Sequence, residues 1–180
     1  MLNSTHNKRR LYIAYYTRPI LSARDPHRYH SGLLAFRKHP HKSDLATIFH
    51  ATTSPGVPWT FETKHITPRT MRLVGLVYIG KLDHTVTDDI LIALLAGNVW
   101  VNNADPHWNC LDWLYEALMV LESKNVLDPL PFSAPKLWKI GAHYTDEWRM
   151  TCNDNRQLID AGTPIPCCDI LGNPLPSPLS

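Results

Sequence analysis

The sequence predicts an α+β domain, with an antiparallel sheet of about five strands packed against helices. Three observations carry this. Five stretches rich in β-branched and aromatic residues come first, all before residue 83. The links between them are too short for helical crossovers, so neighbouring strands pair antiparallel. Helical periodicity begins only after the last of them.

The first strand is Leu11 to Thr17, ended by Arg18-Pro19. The second is Tyr29 to Phe36, apolar after Gly32 and therefore covered on both faces. Leu45 to Thr52 is the third, and Ser54-Pro55-Gly56 turns the chain after it. Trp59 to Ile66 alternates large and polar residues, as a half-exposed fourth strand does. Met71 to Leu82 is the fifth and reads as core.

Thr85 or Thr87 caps a helix over residues 88–96, with Asp88 and Asp89 in its first turn and Gly97-Asn98 as its stop. A second helix starts at Asp105-Pro106, a cap residue followed by a proline suited to the first helical position. It runs to about Lys124, with Leu111, Leu114, Leu118 and Leu121 on one face. Pro135 to Met150 carries weaker helical periodicity. Residues 1–9 are a flexible N-terminus, 10–150 a single domain, and 151–180 a Pro-rich tail. Beyond Pro164 that tail reads as disordered or draped on the surface.

Composition narrows the function classes. A net charge of +2 and a densest basic cluster of only Lys8-Arg9-Arg10 argue against a nucleic-acid partner. No secretory signal is visible and no stretch is long enough for a transmembrane segment, so the expectation is a cytosolic protein with reduced thiols. Cys110, Cys152, Cys167 and Cys168 are irregularly spaced and give neither a disulfide framework nor a zinc knuckle.

Cys110 is the residue with chemical promise. It sits in the first turn of the second helix, near the positive end of the helix dipole, a position that lowers a thiol pKa. A thiol nucleophile needs an imidazole, and the imidazole needs an orienting group. His30 opens the second strand and His50 lies late in the third. If those strands are antiparallel neighbours, the two rings come side by side, a base with its orienter. Glu62 is an alternative orienter, and Arg18 could meet a carboxylate or phosphate of a substrate. Trp108, beside the thiol, could line a pocket.

These motifs have a familiar order. Arg18-Pro19, His30-Ser31-Gly32-Leu33-Leu34-Ala35, Ile48-Phe49-His50-Ala51 and Asn109-Cys110-Leu111-Asp112-Trp113-Leu114 resemble the pattern of the lecithin–retinol acyltransferase-like proteins. Those are permuted relatives of the papain-like and NlpC-type cysteine enzymes. The chain also looks like an uncharacterised fungal family of small proteins with the same motif order, and this is the nearer resemblance. The likeness spans about residues 10–122. It implies a permuted papain-like fold and a cysteine hydrolase or acyltransferase acting on an ester, thioester or amide. Cys110 would be the nucleophile, His30 the base and His50 the orienter. The Cys110 N–H would stabilise the oxyanion, and Asn109 would shape the turn. No cofactor is required.

Two further readings stay open. An inactive domain of the same fold could bind peptide or lipid through some of its tryptophans. A zinc site could draw on His27, His30, His39 and His41, but no Cys or carboxylate pair with ligand spacing joins them, so no metal is expected.

Overall fold

The computed structural model describes residues 8–18, 28–41, 43–70, 72–151 and 162–179. Residues 1–7, Pro19, His27 and Cys152 lie outside these. The strands are β1 (Arg9–Thr17), β2 (Tyr29–Arg37), β3 (Ala46–Thr52), β4 (Thr60–Ile66) and β5 (Leu73–Lys81). The helices α1 (Asp88–Asn98), α2 (Cys110–Ser123) and α3 (Ala134–Thr151) follow. Two short strands, β6 (Cys167–Cys168) and β7 (Pro174–Leu175), complete the described residues.

The protein is therefore α+β, but the sheet has seven strands in the order β4-β3-β2-β1-β5-β6-β7. It is mixed rather than antiparallel, because β6 runs parallel to β5. The five strands expected from sequence are all antiparallel to their partners among themselves. Residues 162–179 correct the expectation of a disordered or draped tail. Ile165, Cys167, Cys168 and Leu179 are buried. Leu76 N–H donates to the Pro166 carbonyl, and Arg69 donates to the Leu179 and Thr163 carbonyls.

β1 is the middle of the sheet, and it is buried from Leu11 to Tyr16. One face is closed by α2 and α3. Trp113 of α2 stacks on Phe61 of β4, with ring centroids 5.5 Å apart. α3 comes close to β5 and β1 because it carries a glycine where they meet: a Cβ on Gly141 would collide with Val77 and Tyr15. The Tyr15 hydroxyl donates to the Trp138 carbonyl at 2.9 Å, which fixes the same approach.

Thr87 caps α1, its hydroxyl accepting from Ile90 N–H. Gly97-Asn98 does not stop that helix, which runs through Asn98 to a cap at Val99. The start of α2 also differs from expectation. Asp105-Pro106 forms a turn, in which Asp105 accepts from His107 N–H. The helix begins at Cys110 with Asn109 as its cap. Asn109 accepts from Leu111 N–H while Asp112 accepts from Asn109 N–H at 2.8 Å, and this reciprocal box competes successfully with the earlier start signal.

Candidate functional site

Arg18, His30 and His50 line a cavity at one end of the sheet, where β1 and β3 finish and β2, β4 and β5 begin. Alternation along β2 decides which way His30 points. Its neighbours are held on the helix face. Tyr29 hydroxyl donates to Asp146 of α3 at 2.6 Å, and Trp138 Nε1–H donates to Ser31 Oγ at 2.8 Å. Arg28 pairs with Asp146 as well. His30 is thereby committed to the opposite face of the sheet.

His50 and Glu62 share that face. His50 and Glu62 are direct cross-strand partners, and His50 comes opposite Gly32 when the β2–β3 register is continued by one residue. A Cβ on Gly32 would lie 2.8 Å from His50 Cβ and 2.8 Å from the Phe49 carbonyl oxygen, so the missing side chain lets β3 close on β2. His30 Nε2 then lies 2.7 Å from His50 Nδ1, and His50 Nε2 lies 3.1 Å from Glu62 Oε2. Lys64 also contacts Glu62, at 2.8 Å.

The proton positions in this series follow from its acidic end. Hydrogen bonds from Lys64 and His50 hold the Glu62 carboxyl below its usual range although burial opposes them, so it is ionised and can only accept. His50 must then donate through Nε2. Burial lowers the His50 pKa, its largest cause, against the pull of Glu62, so the ring is neutral and its Nδ1 accepts. His30 donates through Nε2, which leaves His30 Nδ1 as the lone-pair nitrogen. Burial, then the neighbouring His50 and Arg18, bring the His30 pKa down to about 3. It is a neutral imidazole whose Nδ1 takes part in no hydrogen bond among the described residues.

Cys110 approaches from the helix side. It is the first residue of α2 and has 0% exposure. Arg18 Nη2–H donates to its Sγ at 3.0 Å. The Ser31 backbone, next in chain to His30, is near enough to pull the thiol pKa down. The expectation of a lowered thiol pKa is corrected here. Burial outweighs the helix terminus and raises it, with Arg18 and the Ser31 and Cys110 backbone groups pulling the other way. Among the described residues no hydrogen bond joins Sγ to either imidazole. Burial raises Cys167 and Cys168 too, each to about 12.

A cavity of about 450 Å3 opens at this end of the sheet, walled among others by Tyr16, Arg18, His30, His50, Trp59 and Arg72. Trp108 stands behind it, edge-on to Trp59 with centroids 5.7 Å apart. Asn109 is outside the wall: its amide is spent on the cap and on the His107 carbonyl. Tyr16 and Arg72 were not singled out from sequence. Tyr16 is the cross-strand partner of His30, a relationship that needs the β1–β2 register. The described residues contain no group of three His, Cys, Asp or Glu side chains placed to hold a metal ion. None of their helices is long and apolar enough to cross a membrane.

Fold and site together define an α+β protein with a helix-start thiol on one face of a mixed sheet and a His–His–Glu series on the other. The chain belongs to a family described as a family of unknown function (DUF6914), which matches residues 8–147. Neither a curated protein nor a solved structure matches it.

Proposed function

We propose that the protein is a cysteine-dependent hydrolase or acyltransferase of permuted papain-like architecture, acting on an ester, thioester or amide. The observation that carries this reading is the Glu62–His50–His30 series, whose hydrogen bonds leave a lone pair on His30 Nδ1. An orienting carboxylate, a relaying imidazole and a neutral base are the parts a thiol needs. Cys110 starts from an uncharged thiol rather than a thiolate. The sulfur rests on the helix side of the sheet and His30 on the other, so in this reading the transfer runs round the end of β2: His30 takes the Sγ proton as the sulfur bonds to the acyl carbon. The bond to the leaving group breaks, and the leaving atom takes the proton from His30. Water or an acceptor then attacks the thioester and releases Cys110. The Cys110 N–H at the helix start favours the developing oxyanion.

Arg18 has a double part in this scheme. It covers the sulfur at rest, so it must swing aside before an acyl group reaches Cys110. Its charge also favours the thiolate.

The test is acylation by p-nitrophenyl acetate, read by peptide mass spectrometry. Wild type becomes acetylated at Cys110, Cys110→Ala does not, and His30→Ala slows the step by about 10²- to 10⁴-fold. Cys152→Ala behaves as wild type. Equal acetylation of wild type and Cys110→Ala, or a reactive Cys152, overturns the assignment.

A second reading has its own observation: the enclosed sulfur beside a cavity walled by two arginines. In it the domain is inactive and binds a ligand without reacting.

A further inference from the structure

His30 and His50 are two imidazoles in series, and one of them touches a carboxylate. His50 Nε2 lies 3.1 Å from Glu62 Oε2, while His30 meets no acidic side chain among the described residues. Burial lowers the pKa of both rings. At His30 the neighbouring His50 and Arg18 add to that lowering. At His50 the Glu62 carboxylate opposes it, and the Lys64 charge works against Glu62. Lys64 sits on Glu62 at 2.8 Å, at the exposed side of β4. Tyr16 of β1 has its ring centroid 6.3 Å from that of His30, and burial pushes its pKa well up, so it is a neutral phenol. Arg72 is the other cationic residue of the cavity wall.

The link between the rings sets what a further proton must do. His30 Nε2 and His50 Nδ1 are 2.7 Å apart, a single hydrogen bond with room for one proton. With both rings neutral and Glu62 ionised, His30 supplies that proton. A charged His50 carries protons on both nitrogens. It donates to Glu62 through Nε2 and to His30 through Nδ1. His30 then accepts at Nε2 and keeps its one proton on Nδ1.

We propose that His50 is the ring that becomes charged when this series takes up a proton, and that His30 passes the proton on while staying neutral. The incoming proton bonds to His30 Nδ1. The N–H bond at His30 Nε2 breaks, and a new N–H bond forms at His50 Nδ1. One proton is gained, His30 changes tautomer, and a cation appears on His50 beside the Glu62 carboxylate. An opposite charge in contact favours the ionised form, and a like charge nearby disfavours it. For its use in acyl transfer the assignment rests on the functional reading above. There, the nitrogen that takes the proton from the thiol is the one that holds a proton for the leaving atom. Giving it up returns both rings to their first state.

The experiment is a ring-nitrogen NMR titration of the full chain carrying Cys110→Ala, so that thiol reactivity plays no part in it. His30→Gln and His50→Gln variants assign the signals. As the pH falls from neutral, both His50 nitrogens take the protonated shift. In the same step His30 changes from one neutral tautomer to the other, Nε2–H to Nδ1–H. Glu62→Gln moves that step down by about one to three pH units, and Lys64→Met, at an exposed site, moves it up. A His50 that merely positions its neighbour would leave the His30 tautomer unchanged throughout. An imidazolium at His30, a charged His50 without the tautomer change, or a step whose pH neither variant moves overturns the proposal. So does acid unfolding with both rings still neutral, because the folded chain would then never carry the charge. The expected titration without any acetylation of wild-type Cys110 leaves this proposal standing and removes only the enzyme. Acetylation of Cys110 without the expected titration removes only this proposal.

Discussion

His30 Nε2 lies 2.7 Å from His50 Nδ1 across two strands that touch where residue 32 has no side chain. The glycine and the imidazole pair are one structural unit. Gly32 has no left-handed backbone torsion to explain it. What it supplies is room.

Gly32→Ala therefore forces β3 away from β2 at the site. The new Cβ meets His50 Cβ and the Phe49 carbonyl, and neither is the tip of a flexible side chain. The expected cost is about 1–3 kcal/mol, the usual range for overpacking. It is measured by urea denaturation. In nitrogen NMR spectra the His50 Nδ1 signal loses its hydrogen-bonded shift. An alanine variant of native stability with the imidazole pair intact would show that the space is not needed.

Acid should reveal the neutral imidazoles. The folded-state pKa of His30 is about 3, and that of His50 is also lowered. In the unfolded chain both titrate near 6.5. Below that value the unfolded chain binds more protons, so stability falls as pH drops from about 6.5 towards 3 and is fully present above 6.5. Thermal melts from pH 7 to pH 4 should show the fall, and His30→Gln should shrink its slope. A slope identical in the variant would show that His30 is not buried as a neutral ring.

The reciprocal cap on α2 is a third measurable unit. Asn109→Ala removes the oxygen that accepts from Leu111 N–H and should cost about 1 kcal/mol. Asp112→Ala removes the return bond to Asn109 N–H. Because the two groups close one box, the double variant should lose less than the sum of the singles. Strict additivity in chemical denaturation would mean that the two bonds act independently.

Much of this architecture could be read from the chain, and the misses share a cause. The five strands of the first half lie within a residue or two of their expected ends, because alternation and β-branched composition are local signals. α2 was readable from its leucines, but its start was not assigned correctly. Asp105-Pro106 and Asn109 are both cap signals, and Asp112 at the third helical position tips the choice to Asn109. That spacing was present in the sequence. β6 and β7 have two residues each, too few for any period, and they exist because β5 offers an edge. In the site, the closeness of His30 and His50 followed from strand order and loop length. The reach of Arg18 to Cys110 and the raised thiol pKa did not. Each depends on what packs around a group, and packing is set by distant parts of the chain.

The last two strands have a bearing on association between copies. A bare β5 flank would offer amide and carbonyl groups to any passing chain. Here β6 pairs with Leu76 and Val77 in its middle, and the outermost ribbon there becomes β7, two residues long and containing Pro174. At the far margin, β4 displays Lys64 to solvent. A short proline-bearing rim on one side and a charged one on the other are poor templates for strand addition.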